Sequence, residues 1–284
     1  WATSSDYHSE IRLSKDILKQ ISEVYKKIRN TIRFLLGNTA DFDPKSDYVE
    51  YSKRDELDKY MMYKLNRLVS YINEAYNTYE YHLVYNEIHR FCTSELSSKY
   101  LDVIKDRLYT FNVSHVLRRS SQSTMYDILE VLVKLISPIL VFTSEEAYTF
   151  MNVKDKKQES VLLENFPSET DKYNNDELVE KWDKIFDIKE SFAKDIEEAR
   201  ARKEIGSALD AMITIYAKEK DYEFINSNKE CIALVAIVSE VNVKKSEENK
   251  IVVEKSTGVK CPRCWTYAHE FSDEGICKKC HNNM

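Results

Sequence analysis

The chain has 284 residues, 43% of them hydrophobic and 32% charged, with 48 acidic against 42 basic side chains and a formal net charge of −6. That length supports two or three domains with sizeable cores, no apolar run is long enough to span a bilayer, and the net charge is not that of a general nucleic-acid binder. Glycine occurs only at Gly37, Gly206, Gly258 and Gly275, so GxGxxG, Walker and G-x-S-x-G loops are absent and a nucleotide-binding catalytic core is excluded from these residues.

Residues 1–13 read as a connector from an upstream domain, and a chain opening on Trp1 with no signal-peptide pattern reads as part of something longer. Ser14 is a helix cap. Ile17, Ile21, Val24, Ile28, Ile32 and Leu35 follow at three- and four-residue steps, and Gly37 is the expected stop. Asp41 to Pro44 is a loop. A second helix carries Leu57, Met61, Leu65, Leu68, Ile72 and Ala75. A third is expected without interruption from about Tyr81 to Leu108. A fourth is expected from about Ser121 to Ser137, ended by Pro138, with a short one starting at Thr143 to Glu146. Long helices with short loops predict a mainly α, bundled domain over residues 14–152.

Beyond residue 152 the pattern changes, and residues 153–255 read as a small α+β domain. Val161 to Leu163 is a strand candidate. Asp176 to Lys203 is one charged amphipathic helix. Met212 to Ala217, Ile232 to Val238 and Ile251 to Glu254 are short, β-branched runs that predict strands. A small helix is expected over Asp221 to Asn226, and Lys244 to Asn249 is a polar turn.

Residues 256–284 carry the most specific motif, Cys261-Pro-Arg-Cys264-Trp265, then a twelve-residue spacer, then Cys277-Lys-Lys-Cys280. Two C-x-x-C knuckles place four thiolates around one tetrahedral zinc. Two disulfides or a redox pair are the alternatives. So short a segment lacks a core of its own, and zinc would supply the folding free energy. Four protein ligands leave no open position, so the site is structural. His269 and His281 read as surface side chains, and Cys92 and Cys231 as core thiols; a reducing, cytoplasmic compartment suits this cysteine usage.

Basic residues are locally concentrated. Arg263, Lys278 and Lys279 sit inside the knuckles beside Trp265, which either packs on the metal site or stands exposed as a stacking platform for an unpaired base. Arg118 and Arg119 lie at a helix start after His115, where phosphate binding and plain solvation are both open. Lys26, Arg29 and Arg33 on the first helix leave the same two readings open. No Ser/His/Asp or Cys/His nucleophile arrangement can be argued.

Several stretches together resemble bacterial-type isoleucyl-tRNA synthetases, class I aminoacyl-tRNA synthetases. Residues 1–38, SKYLDVIKDRLY (98–109), RRSSQSTMYDIL (118–129) and PILVFTSEEAY (138–148) resemble the end of the catalytic domain and the anticodon-binding bundle of that family. EARARKEIGSALDAMITIYA (198–217) resembles its junction region, and CPRCW with CKKC its zinc finger. The finger type also resembles one in formamidopyrimidine-DNA glycosylases, so the rival reading is the binding module of a DNA-repair or other zinc-finger enzyme, and a third is a protein-interaction scaffold. The resemblance implies an anticodon-binding helical bundle, an α+β junction domain and a four-cysteine zinc finger, from an enzyme that joins isoleucine to its tRNA with ATP and magnesium in a catalytic domain absent here. It implies isoleucine tRNA as partner, no DNA or membrane, and a monomer; it also puts Arg263 and Trp265 where the finger approaches the anticodon. One departure stands out: Ala147-Tyr148 follows PILVFTSEE where the family commonly has a tryptophan.

Overall fold

The computed structural model describes residues 1–152 and 158–284, which divide into two compact units. The first comprises residues 1–104 and 113–175; the second comprises 105–112 and 176–284. The boundary expected at residue 153 falls on residues 153–157, outside the described ones.

The first unit is helical. Helix α1 spans Lys15–Asn38, and the Ser14 hydroxyl caps it by accepting the Ile17 N–H at 3.2 Å. It runs through Gly37 and is closed by Thr39, whose hydroxyl donates to the Leu35 carbonyl at 2.9 Å. Helix α2, Glu56–Asn77, is capped by the Asp55 carboxylate and buries Leu57, Met61, Leu65, Leu68, Ile72 and Ala75 on one stripe. The expected third helix is present as three consecutive pieces, two α-helical and one π-helical between them: α3 over Tyr81–Arg90, a π-helical stretch over Phe91–Leu101 and α4 over Asp102–Thr110. Within the π stretch the Ser97 and Ser98 hydroxyls donate to carbonyls five residues back, those of Cys92 at 2.7 Å and Thr93 at 3.0 Å. These side chains take carbonyls that the tighter α winding would use, which favours the wider turn.

Helix α5 spans Val116–Ile136, five residues earlier than expected, because the His115 Nδ1 accepts the Leu117 N–H and serves as cap. Helix α6 is Val141–Phe150. The core joins the α2 stripe to Val84, Ile88, Phe91, Leu96 and Tyr100 and to Met125, Ile128, Leu129 and Leu132 of α5, all buried. A polar seam crosses it. Buried Asp58 accepts from Tyr100 at 2.5 Å, Ser120 at 2.5 Å and Ser121 at 3.2 Å, and Arg54 pairs with Asp127 at 2.7 Å. Val161–Leu163 is a 3₁₀ turn capped by Ser160 rather than a strand: Val161 alone of the three is buried, so there is no strand alternation to satisfy.

The second unit is α+β. Helix α7, Asp176–Ser191, buries Leu178, Trp182, Ile185 and Phe186. The helix expected to continue to Lys203 breaks at fully buried Phe192, and α8 resumes over Ala193–Ala201. Strand β1, Ala211–Ala217, is central in a three-stranded sheet. It leads through α9, Glu219–Ser227, and α10, Lys229–Ala236, to β2, Glu240–Lys245, which pairs with it in parallel from Met212 opposite Glu240. Strand β3, Lys250–Lys255, returns antiparallel on the other side, Ala211 opposite Lys255. The Ile232–Val238 run expected as a strand is thus mostly α10, with Ile232, Val235 and Ala236 buried at helical spacing and Ile237 closing it at φ +56°. The missing strand is β2, and the polar turn begins only after Lys245. No helix among the described residues is long and apolar enough to cross a membrane.

Candidate metal centre and nucleic-acid interface

Strand β4, Val259–Lys260, pairs with β5, Tyr267–Ala268, and this hairpin holds the first knuckle at its tip. A bridge between Phe271 and Cys277 holds the second, which opens helix α11, Lys278–Asn282. Gly258 permits the hairpin to close, since a Cβ there would lie 2.9 Å from the Ala268 carbonyl oxygen. The knuckles bring Cys261, Cys264, Cys277 and Cys280 together, their sulfurs all within 4.8 Å of one another. Ala268, Phe271 and Ile276 pack around them.

The sulfur spacing tests what the group can hold. Cys261 and Cys280 are 4.0 Å apart, and Cys264 and Cys277 are 3.6 Å apart. Metal–sulfur bonds of about 2.3 Å in a tetrahedron put sulfurs about 3.8 Å apart. A disulfide needs about 2.05 Å, and all six cysteines are free thiols. Burial raises the Cys261 thiol, but backbone N–H groups of Cys277, Cys264 and Arg263 outweigh it and hold it down at about 6. Burial and the neighbouring thiols push Cys280 up. Four thiolates this close repel one another, and a divalent cation at their centre removes that conflict. The group could therefore hold one metal ion. His269 and His281 face Glu240 at 3.6 Å and Glu274 at 3.9 Å instead of joining the sulfurs.

Trp265 stands out from this scaffold with 62% of its surface exposed. Its backbone is at φ +64°, a left-handed conformation that a bulky residue rarely adopts. The knuckle turn requires it: the Trp265 N–H donates to the Cys261 carbonyl at 2.9 Å, and the Cys261 N–H to the Thr266 carbonyl at 2.9 Å.

The cations expected near Trp265 are engaged. Arg263 donates from Nε at 3.1 Å and from Nη2 at 2.6 Å to the carbonyl of Thr110. Lys279 pairs with Asp106, and the Asn112 N–H donates to the Asn283 carbonyl at 2.7 Å. Lys278 pairs with exposed Glu270 at 2.6 Å. Thr110, Asp106 and Asn283 were not singled out by sequence reading. Their only available signal was polarity at a helix end, since the contacts span more than 150 residues.

In the first unit, Arg118 and Arg119 fall in the first turn of α5, at the helix start expected for them after His115. Arg118 reaches Asp41 at 2.9 Å, and Arg119 reaches Asp47 at 3.2 Å and Gln122 at 2.7 Å. On α1, Lys26 pairs with Glu23 at 2.7 Å and Arg29 faces Glu146 at 3.9 Å. Arg29 and Arg33 line a groove of about 260 Å³ together with Ile32, Glu146 and exposed Phe150.

Comparison with known proteins places these features. Residues 58–215 match the family model described as the anticodon-binding domain of tRNA ligase. The chain is 43% identical over 288 residues to an isoleucine–tRNA ligase of Caldicellulosiruptor saccharolyticus, an alignment covering 99% of this chain and 31% of that protein. It is 41% identical over 302 residues to that of Caldanaerobacter subterraneus subsp. tengcongensis, covering 100% of this chain and 32% of the relative. The isoleucine–tRNA ligase of Carboxydothermus hydrogenoformans is 43% identical over 278 residues, 95% of this chain and 30% of that protein. The chain thus spans about a third of the length of the curated relatives it matches. With more than half of its residues, from α2 through the start of the sheet, matched by one model, the chain belongs to the anticodon-binding domain family of tRNA ligases.

Proposed function

We propose that this chain serves an isoleucine–tRNA ligase as the part that recognises isoleucine tRNA at its anticodon stem-loop, with one structural zinc ion bound by Cys261, Cys264, Cys277 and Cys280. The observation that carries this reading is the likeness to isoleucine–tRNA ligases over 99% of the chain, through both the bundle and the four-cysteine group. The sulfur spacing and all-thiolate donor set favour zinc over harder divalent ions. Anticodon loops present unstacked bases beside closely spaced phosphates. An exposed tryptophan on a metal-braced turn suits the bases, while Lys26, Arg29, Arg33 and, by exchanging carboxylate partners for phosphate, Arg118, Arg119 and Lys278 suit the backbone. The parent enzyme would work in the cytoplasm as a monomer, with ATP and magnesium confined to its catalytic domain.

Equilibrium binding of the chain to isoleucine tRNA, a non-cognate tRNA and duplex DNA, alongside elemental analysis, tests the proposal. Cognate tRNA should bind first, non-cognate tRNA second and DNA last, with about one zinc per chain. Preference for duplex DNA, or no binding to any of the three, would overturn it.

A further inference from the structure

A second group of metal-ligating side chains lies in the first unit, far from the cysteines in sequence. Asp6, Glu80 and His82 bring two carboxylates and an imidazole together, one ligand atom of each lying within 4.8 Å of the other two. Local structure sets their places. Helix α2 ends at Thr78 in a Schellman turn: Tyr79 is left-handed at φ +61°, its N–H donates to the Tyr76 carbonyl at 3.1 Å, and the Glu80 N–H donates to the Ala75 carbonyl at 2.8 Å. That turn puts Glu80 at the cap position of α3 and His82 in its first turn, yet the Glu80 carboxylate does not cap the helix. It lies instead 3.4 Å from the His82 Nδ1. Asp6 joins them from the connector. Its Oδ1 accepts the His8 backbone N–H at 2.9 Å and lies 3.1 Å from the His8 Nδ1. Asp6 is the most exposed of the three side chains, at 42%, and gives an ion a way in.

The His82 Nδ1 carries the argument. It is buried and makes no hydrogen bond, and an orphaned buried nitrogen is costly. A proton on it would draw the Glu80 carboxylate in to about 2.7–2.9 Å, whereas the observed gap is 3.4 Å without hydrogen-bond alignment. Two ligands at about 2.0–2.1 Å from a tetrahedral zinc ion stand about 3.3–3.4 Å apart, which is the gap found. Two carboxylates beside a neutral imidazole also gather negative charge that a divalent cation offsets. We propose that Asp6, Glu80 and His82 bind one divalent transition-metal ion, zinc by preference, which staples the N-terminal connector to the α2–α3 corner. The imidazole selects against magnesium, which takes oxygen ligands in octahedral geometry. Three protein ligands leave a fourth position for water. His8 lies outside the group and orients the Asp6 carboxylate from behind.

The test titrates zinc into the full chain already carrying one equivalent on its thiols, with the histidine rings labelled with nitrogen-15. A second equivalent should bind and move the His82 Nδ1 resonance, assigned by His82→Gln, leaving those of His89, His115, His269 and His281 in place. Asp6→Asn, Glu80→Gln and His82→Gln should each lower the affinity for that equivalent by about 100-fold or more, and His8→Ala, which removes only an outer partner, by about tenfold. Asp6→Asn lies in the exposed connector and keeps the test decisive if His82→Gln disturbs α3. Hydrogen exchange of the His8 amide should slow when the second equivalent is added to the parent, and should not respond in Glu80→Gln; an ion held loosely at the surface would leave it unchanged in both. Cys277→Ser should remove the thiol-bound equivalent and leave the His82 response intact, so that failure of the four-cysteine reading and failure of this one are distinguishable. Absence of a second equivalent, an affinity unaltered by the three ligand variants, or a His82 resonance moved as readily by magnesium as by zinc would overturn the proposal.

Discussion

A tryptophan in left-handed backbone costs about 1–2 kcal/mol relative to glycine, and Trp265 adopts it without burying its ring. Trp265→Gly should therefore raise the finger's resistance to chelator by about 1 kcal/mol while weakening RNA binding. A finger that loses stability on this change would show that the ring packs on the metal site. Tyr148 offers a second measurable case. Its hydroxyl donates to the Glu164 carboxylate and accepts the Gln158 N–H at 3.1 Å, and Lys134 approaches Glu164 at 3.3 Å. The Tyr148 hydrogen bond first, and Lys134 with it, hold the Glu164 carboxyl below its ordinary range against the opposing effect of burial. A carboxyl depressed in the folded state stabilises fully above its unfolded value, about 4.3, and loses that contribution as pH falls through the lower folded value. Tyr148→Phe should cost about 1–2 kcal/mol at pH 7, with the difference from the parent shrinking below about pH 4 in urea melts followed at several pH values.

At the scale of elements, the finger is too small to hold itself together by burial, and its cluster consists of the sulfurs plus Ala268, Phe271 and Ile276. Chelation, or Cys277→Ser, should melt the β4–β5 hairpin and α11 while leaving the helical signal of α1 to α6 near its starting value. Loss of both together in circular dichroism would contradict this. Gly258→Ala should have a similar, milder effect, because the added methyl meets backbone rather than a movable side chain. The elements differ in how far the sequence revealed them. The α2 stripe and β1 could be read because their periodicity is strict and their apolar face is buried throughout. Ile232–Val238 could not, since an unbroken apolar run fits a buried strand and a buried helix equally. β2 was hidden for the converse reason: Val241 is its one buried position, so little alternation is written in it. The π winding depends on two serine hydroxyls that look like ordinary helix positions. The metal group was legible from cysteine spacing alone, whereas the Thr110 carbonyl that holds Arg263 is a backbone atom and leaves no mark on the sequence.

For the whole molecule, the glycine census and the family assignment meet in one expectation. The chain should bind tRNA with a steep salt dependence carried by local cations despite its overall negative charge, yet ATP–pyrophosphate exchange with isoleucine should stay at background. Robust exchange by a clean preparation would place a nucleotide site where none is foreseen. The grip of the finger on Lys105–Asn112 also sets a timetable for folding during synthesis. Arg263 follows Thr110 by 153 residues, and at 5–20 residues per second the ribosome takes roughly 8–30 s to cover that distance. The bundle helices can close on one another within that interval. The second unit cannot, because one of its pieces is made long before the rest, and during the wait the Thr110 carbonyl has only water or a chaperone to bind.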